Sequence, residues 1–212
     1  MRKPRPLKSG DRIAVVAPAS PFARDEFDRG VAELTRLGFE PIWDEAVFAT
    51  EGGYLAGPAD LRAQSFMKHW NDASVAALIA VRGGYGSVQL LPSLHPPALV
   101  DEPKVFIGYN DNTPVLSWLT CGCGITGLHG PMLERRLASG AAGYDERSFL
   151  ALVSNGSGME LAPDGLDVLR PGRAQGPLFG GTIAQLVASL GTPFAFDPPE
   201  GCVLFLADVS ER

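Results

Sequence analysis

Short apolar runs alternate with amphipathic segments between residues 11 and 133, and this alternation constrains the fold more than any other feature of the chain. The first run, residues 13–17 in DRIAVVAPAS, predicts a buried strand. A helix is predicted next, with Ser20 as its N-cap and Pro21 as its first helical residue. Gly38 marks the end of that helix, and a second strand follows in GFEPIWDEA. A strand, a helix and a strand of this length form a βαβ unit, which normally requires a parallel sheet.

The same pattern continues through the rest of this region. Helical periodicity and apolar runs predict a helix over 60–72, a strand over 74–81, a short helix from residue 88, a strand over 104–109 and a helix over 113–121. Residues 124–133 are predicted as a strand that leads into a loop. Strands and helices that alternate in this way form an α/β fold. We therefore predict a doubly wound, mostly parallel sheet domain at the N-terminal side of the chain.

Beyond residue 133 the pattern weakens, and turn-forming residues are frequent over 134–173. A helix is predicted around 146–154, a second over 182–190 and a strongly buried strand over 201–209. Because a parallel sheet buries its strands on both faces, a last strand with nothing after it would lack its cover. We expect an N-terminal α/β domain, a crossing region and the start of a smaller, truncated C-terminal domain, over 1–135, 136–173 and 174–212.

Composition and charge argue against some classes of function. The net charge of −6 and the pI near 5.1 argue against a nucleic-acid-binding protein, which needs a basic face. The basic start MRKPRPLK is not followed by an apolar run, so we do not expect a signal peptide, and no apolar stretch suits a membrane span. The odd cysteine count and the spacing favour free thiols over disulfides or a metal site, as in a cytoplasmic protein: Cys121, Cys123 and Cys202.

The segment RGGYGS, residues 82–87, directly follows a predicted strand. Its glycines, Gly83, Gly84 and Gly86, allow positive φ and a close approach to the backbone. Such a run can direct N–H groups at an anion or an oxyanion, and a plain tight turn is the alternative. The spacing matches neither a phosphate loop nor a dinucleotide turn.

The segment GYNDNTP places Asn110 and Asp111 between a predicted strand and a helix for which Thr113 is the predicted N-cap. The turn resembles a nucleophile elbow, whose tip residue has a strained backbone. Asparagine tolerates positive φ, but its carboxamide is not a nucleophile. An ordinary Asx-turn before a helix is the alternative. Among the histidines, His129 alone lies near the end of a predicted strand, where a structural role and a role as a base are both open.

Several stretches follow one another in order between residues 10 and 211: GDRIAVVAPAS, YLAGPADLR, VRGGYGS, IGYNDNT, GLHGPML, LFGGTIAQLVASLGTP and GCVLFLADVSE. As an ordered set they resemble the LD-carboxypeptidase family, the murein tetrapeptide carboxypeptidases and their microcin-immunity relatives. The resemblance implies an N-terminal α/β sheet domain, a smaller C-terminal domain and an active site between them. It also implies a serine peptidase with a Ser-Glu-His triad that uses no metal and no cofactor.

By this resemblance the family's nucleophile falls on Asn110 and its triad glutamate on Ala207. The triad histidine belongs to the part of the family that follows residue 212 of this chain. A Gly-Gly-Asn of the family reads Gly-Gly-Thr at residues 180–182. The oxyanion hole falls on the backbone N–H groups of Asp111 and of the turn at Gly83 and Gly84. The implied substrate-binding residues are Arg82, Tyr85, Gly86 and His129.

Family members hydrolyse the L,D amide bond that releases the terminal D-alanine of cytoplasmic muropeptides in cell-wall recycling, and the microcin-immunity branch cleaves a peptide–nucleotide amide. Loss of the nucleophile alone costs on the order of 10⁶ in kcat in a serine peptidase, so we expect absent or very weak catalysis. A non-catalytic protein that binds a small peptide and a decayed remnant are the alternatives. The resemblance also implies a cytoplasmic location, and family members often form homodimers.

Overall fold

The computed structural model describes residues 1–155, 160, 162 and 165–208. Its strands are β1 Arg12–Val16, β2 Glu40–Ile42, β3 Val75–Ala80, β4 Val105–Gly108, β5 Leu128–His129, β6 Leu178–Thr182 and β7 Val203–Ala207. Its α-helices are α1 Arg24–Arg36, α2 Ala59–Asn71, α3 Pro96–Asp101, α4 Thr113–Ser117, α5 Glu146–Asn155 and α6 Ile183–Ser189. None of the helices in these residues is long and apolar enough to cross a membrane.

The first five strands form one sheet in the order β2-β1-β3-β4-β5, and every neighbouring pair is parallel. Each connection between neighbouring parallel strands is a crossover, as the sequence predicted. The carboxyl ends of β4 and β5 lie side by side in the sheet, where Gly108 pairs with His129. The predicted α/β class with a mostly parallel sheet is therefore confirmed.

Two apolar layers cover the sheet because side chains alternate along each strand. In β1, Ala14 and Val16 belong to one buried cluster, whereas Ile13 and Val15 belong to the other. The first cluster includes side chains of α2 and α4: Phe66, Trp70, Val115 and Leu116. The second includes side chains of α1 and α5: Phe27, Leu34, Phe149 and Val153. Helices on both faces make the sheet doubly wound and account for the continuous apolar run of β3, all of which is buried.

The first helix begins later than the sequence predicted. α1 starts at Arg24 after an extended Ala23, so Ser20 and Pro21 are neither its N-cap nor its first residue. The hydroxyl oxygen of Ser20 instead accepts a hydrogen bond from the N–H of Tyr85, at 3.0 Å. The side chain therefore fastens a loop from another part of the chain, a use that local capping preferences do not reveal.

The strands β6 and β7 form a separate two-stranded parallel sheet. The prediction of a strand in GCVLFLADV is confirmed over Val203–Ala207, but the prediction that it is buried is wrong. Leu204 and Leu206 are each 55% exposed, because none of the described residues forms a layer over this side of the small sheet. Residue 209 of the predicted strand lies outside the described residues.

Candidate functional site

β4 leads directly into a strained turn at Asn110. This residue has φ of 58°, in the left-handed region that few non-glycine residues adopt. A 3₁₀ turn over Asn110–Asn112, α4 and a π-helical turn over Trp118–Gly122 then continue without a break. Thr113 has helical dihedral angles inside this segment, so its prediction as the N-cap is wrong. The helical segment starts at the elbow itself, and the predicted positive φ of Asn110 is confirmed.

The glycine-rich turn after β3 packs against this elbow. A Cβ atom placed on Gly83 would lie 3.1 Å from the Cβ of Asn110 and 3.2 Å from the amide nitrogen of Asp111. A side chain at this position would therefore require the elbow to shift by a few tenths of an ångström, and glycine allows the close approach without that shift. The next residue, Gly84, has φ of 105° and is exposed. The structure thus brings together the groups that the sequence predicted as an oxyanion hole, and that role stays a prediction.

The buried side chain of Asp111 forms hydrogen bonds to the glycine-rich turn. Its carboxylate accepts a hydrogen bond from the N–H of Ser87 at 2.8 Å and another from the N–H of Gly86. The Ser87 hydroxyl in turn donates to the carbonyl oxygen of Asp111. Burial raises the pKa of this carboxyl group, which is 1% exposed. Asp111 is therefore a buried anchor and is not available as an attacking carboxylate.

A buried arginine that the sequence reasoning missed joins three segments beside the turn. The guanidinium of Arg62 donates to the carbonyl oxygens of Gly57 at 2.9 Å, Gly86 at 2.9 Å and Pro18 at 2.5 Å. Desolvation lowers its pKa, which the nearby Asp111 carboxylate opposes. One feature of the sequence could have identified Arg62: it lies four residues before the core residue Phe66 and therefore on the apolar face of α2. A charged side chain on such a face needs hydrogen-bond partners.

The residues predicted to bind substrate fall into two groups. Arg82 forms an ion pair with Glu134, with Nε and Oε2 3.2 Å apart, and also donates to the carbonyl oxygen of Pro21. Gly86 is buried, and its carbonyl oxygen accepts from the Arg62 guanidinium. Arg82 and Gly86 therefore make contacts that hold the glycine-rich turn in place. The other group, Tyr85 and His129, is exposed.

His129 lies between two aromatic rings at the end of β5. Its imidazole centre is 5.8 Å from the Tyr109 ring, which precedes the elbow, and 5.0 Å from the Phe205 ring on β7. Partial desolvation lowers the pKa of His129, which favours the neutral imidazole. Neither ring is a carboxylate that would orient the imidazole as a catalytic base. On the far side of Tyr109, Arg136 donates from Nε to the tyrosine hydroxyl at 3.3 Å.

The small sheet contacts the helix behind the elbow. The N–H of Thr182 donates to the hydroxyl oxygen of Thr113 at 3.2 Å, and Ala207 is the residue paired with Thr182 in the parallel ladder. Ala207 shares a strand face with Phe205, which contacts His129. The next residue, Asp208, accepts a hydrogen bond from the N–H of Ala184 at the start of α6. Asp208 projects to the opposite face and does not replace a carboxylate at Ala207.

The arrangement offers hydrogen-bond donors without an attacking group at the tip of the elbow. The tip carries the carboxamide of Asn110, which is neither a nucleophile nor readily deprotonated. The hydroxyls of Ser87 and Ser117 are buried, and the hydroxyl oxygen of Ser20 accepts the hydrogen bond from the N–H of Tyr85. The neutral carboxamide of Asn110, the exposed backbone at Gly84 and the exposed Arg136 can bind an oxyanion or a carboxylate by hydrogen bonds and charge. The geometry of the described residues therefore suits binding more than covalent catalysis.

Comparison with solved structures gives the same overall arrangement. The microcin self-immunity protein MccF in complex with glutamyl sulfamoyl guanosine superposes with a TM-score of 0.84 at 25% identity, over 96% of this chain and 70% of that one. A muramoyltetrapeptide carboxypeptidase from Oxalobacter formigenes superposes with a TM-score of 0.75 at 25% identity, over 92% of this chain and 65% of that one.

Comparison of sequences identifies the family. The chain is 32% identical over 220 residues to a Bacillus subtilis protein named "Probable murein peptide carboxypeptidase", across 99% of this chain and 66% of that protein. It therefore spans about two thirds of the length of this relative. A family model described as the LD-carboxypeptidase N-terminal domain matches residues 13–130, which is more than half of the chain. The chain belongs to the LD-carboxypeptidase family.

Proposed function

We propose that this protein binds murein peptides at the turn formed by Gly83, Gly84 and Asn110, and that it hydrolyses them very weakly or not at all. The observation that carries the proposal is Asn110 at φ of 58° in an otherwise complete elbow. The backbone retains the geometry that a peptidase of this family needs, while the side chain at the tip lacks the chemistry. The ligand is a small peptide with a free carboxylate, which is the group that a carboxypeptidase must recognise.

Charge supports the binding half of the proposal. Arg136 is exposed, and its hydrogen bond to the Tyr109 hydroxyl holds it next to the elbow. Arg82 is paired with Glu134, and Arg62 is buried against carbonyl oxygens. Arg136 is therefore the cation that we expect to pair with the terminal carboxylate of a bound peptide.

Two substitutions and the burial of Asp111 support the weak-catalysis half. Asn110 stands at the nucleophile position, and a missing nucleophile costs on the order of 10⁶ in kcat. Ala207, at the position implied for the triad glutamate, has no carboxylate to orient a histidine. Asp111 cannot attack in place of Asn110 because its carboxylate is buried and hydrogen-bonded to the glycine-rich turn.

The test is a pair of measurements on the 212-residue chain with murein tetrapeptide. Calorimetry should show saturable binding, and an assay for released D-alanine should show no turnover above the buffer control. Turnover within about a hundredfold of an ordinary enzyme would overturn the weak-catalysis half of the proposal. No detectable heat and no thermal shift at saturating peptide would overturn the binding half.

Substitution of Arg136 tests the carboxylate site. We expect Arg136→Ala to weaken tetrapeptide binding by about ten- to hundredfold, because a hydrogen bond to a charged group contributes about 1.5–3 kcal/mol. Arg147→Ala on α5 removes the same charge from an exposed position elsewhere and is the matched control. Equal affinities for the two variants would show that Arg136 does not bind the carboxylate.

A second candidate ligand is a peptide linked to a nucleoside. The observation that favours it is the likeness to MccF, whose structure contains glutamyl sulfamoyl guanosine. Titration with this same compound beside murein tetrapeptide distinguishes the two candidates. Tighter binding of the nucleoside conjugate would assign the protein to the microcin-immunity type of ligand.

We also propose a cytoplasmic location and a homodimeric assembly, both of which rest on the family. The acidic composition and the three free cysteines are consistent with a reducing compartment. The division into an N-terminal domain, a crossing region and a C-terminal part is a proposal too, supported by the presence of two separate sheets. Localisation of a tagged chain and sedimentation analysis would test the first two statements.

A further inference from the structure

The segment that carries Arg136 contains a second strained residue beside the elbow. Among the residues that the structure describes, Asn110 and Arg135 are the two non-glycine residues with positive φ, at 58° and 64°. The N–H of Arg136 donates to the carbonyl oxygen of Glu134 at 2.7 Å, which closes a γ-turn of positive φ around Arg135. This kind of turn is rare and strained, and such strain persists only where the surrounding structure imposes it. The contacts of Arg135 therefore show what holds the conformation.

The helix α1 holds this γ-turn through the side chain of Glu26. Its carboxylate oxygen Oε2 accepts a hydrogen bond from the N–H of Arg135 at 2.8 Å, across 109 positions of sequence. Gly30 lies one helical turn further along the same face of α1, and a Cβ atom placed there would be 2.9 Å from the Cβ of Leu133. α1 therefore packs closely against the segment that contains the γ-turn, and Glu26 supplies the hydrogen-bond acceptor on this face.

The γ-turn separates two side chains that have different partners. Glu134, the residue before its centre, forms an ion pair with Arg82, with Oε2 and Nε 3.2 Å apart. Arg136, the residue after its centre, donates from Nε to the hydroxyl oxygen of Tyr109 at 3.3 Å, and Tyr109 directly precedes the elbow tip. Both side chains reach their partners from this one backbone conformation. A change of φ at the centre of the turn would therefore move at least one of them.

The position of the Glu26 carboxylate has an electrostatic cost. Burial raises the pKa of the Glu134 carboxyl group, Arg82 lowers it, and the nearby Glu26 carboxylate raises it further. The two carboxylates therefore repel each other. The hydrogen bond from the N–H of Arg135 offsets this repulsion, because a charged acceptor forms a stronger hydrogen bond than a neutral one. Glu26 thus stabilises the γ-turn although its charge is unfavourable for Glu134.

We propose that Glu26 is a positioning residue of the candidate peptide site: it fixes the γ-turn at Arg135, which places the Arg136 guanidinium beside the elbow to pair with the terminal carboxylate of a peptide. Glu26 acts through the backbone amide of Arg135 and not through contact with the peptide. Without Glu26, Arg135 relaxes to a negative φ and Arg136 loses its position. This inference rests on the proposed function and extends it by naming the residue that sets the preference for a carboxylate.

Calorimetry of the 212-residue chain with murein tetrapeptide and with its C-terminal amide tests the proposal. In the wild-type chain the acid should bind about tenfold or more tightly than the amide, because the hydrogen bond from Arg136 is stronger to a charged group. Glu26→Ala should reduce this ratio by about threefold or more, the effect of releasing a strained turn. Glu26→Gln keeps an acceptor oxygen and should retain most of the ratio. In an Arg136→Ala chain, Glu26→Ala should not change the ratio further.

Two further variants separate positioning from a general loss of stability. Asp28→Ala removes an exposed carboxylate from the same helix and is the matched control, so it should keep the wild-type ratio. Arg135→Gly combined with Glu26→Ala should restore the ratio, because glycine adopts positive φ without strain. A ratio that Glu26→Ala leaves unchanged, or that falls equally in Asp28→Ala, would overturn the positioning role. No recovery in the glycine double variant would overturn the γ-turn as the link between Glu26 and the site.

Nuclear magnetic resonance without any peptide distinguishes this inference from the proposed function. In Glu26→Ala the amide of Arg135 should exchange with solvent faster than in the wild-type chain. The Nε–H signal of Arg136 should also shift, because its hydrogen bond to Tyr109 is lost, and Asp28→Ala should change neither signal. An Arg136 signal that stays in place in Glu26→Ala would overturn the positioning role, whatever the peptides do. If both signals change as expected but the wild-type chain binds neither peptide, the positioning of Arg136 stands and the proposed function is overturned.

Discussion

At the scale of single residues, Asn110 combines the backbone of an elbow with a side chain that is not a nucleophile. The tip of the elbow requires φ near 58°, a conformation that costs most residues about 1–2 kcal/mol and costs asparagine less. Gly83 fits closely against the tip, since a Cβ atom there would lie only 3.1 Å from the Cβ of Asn110. The backbone conformation at the tip therefore favours asparagine or glycine over most other residues.

This reasoning predicts how the elbow responds to substitution. Asn110→Ala should lower the free energy of unfolding by about 1 kcal/mol, because alanine adopts positive φ less readily than asparagine. Asn110→Gly should change it by less than about 0.5 kcal/mol, because glycine adopts the conformation without strain but gains freedom when unfolded. Urea denaturation of both variants measures the difference. Equal stability of the alanine and glycine variants would contradict the strain at this position.

At the scale of elements, the site depends on loops at the carboxyl edge of the sheet and on the few side chains that connect them. The loops after β1, β3 and β4 meet there because parallel strands end at the same edge. Ser20, Arg62 and Asp111 each contribute hydrogen bonds to the glycine-rich turn from a different element. The position of the turn is thus set by these polar contacts together with its own glycines.

Removal of the Arg62 side chain tests this dependence. Arg62→Ala leaves buried carbonyl oxygens without donors, so we expect the free energy of unfolding to fall by about 2–4 kcal/mol. Hydrogen exchange of the amides at Gly86 and Ser87 should accelerate at the same time. Gln64→Ala, at an exposed position on the same helix, is the matched control and should have little effect. Unchanged exchange in the Arg62 variant would show that the turn is held by other contacts.

At the scale of the whole molecule, the large sheet and the small sheet differ in how well they are covered. Helices enclose both faces of the five-stranded sheet, and its central strand is fully buried. Around β6, α6 and β7, by contrast, several large apolar side chains are exposed: Leu178, Ile183, Val187, Leu190, Leu204 and Leu206. Clustered apolar exposure of this kind marks a surface that associates with other surfaces.

We expect the 212-residue chain to self-associate through this surface as its concentration rises. Sedimentation velocity over a range of concentrations measures the effect, and Leu204→Gln/Leu206→Gln should shift the equilibrium towards monomer. Leu169→Gln replaces a leucine that is 99% exposed and lies outside the small sheet, so it is the matched control. A chain that stays monomeric throughout, or variants that associate alike, would contradict this expectation.

Local periodicity was sufficient to predict most elements of the large sheet. Each strand of this sheet and the helices α2, α4 and α5 overlap their predicted ranges, because apolar spacing is a property of neighbouring residues. The start of α1 was wrong because the Ser20 side chain contacts a residue 65 positions away. Arg62 and Glu26 were missed for the same reason, since their partners lie in other loops.

The sequence by itself determined the α/β class, the elbow at Asn110 and the absence of a nucleophile there, because strand periodicity, turn preference and side-chain chemistry are local. Only the tertiary structure decided that Asp111 is a buried anchor, that Arg82 is neutralised by Glu134 and that β7 is exposed. Burial and ion pairing depend on which distant segments of the chain meet. Local sequence patterns do not show these contacts, so they became visible only in the folded structure.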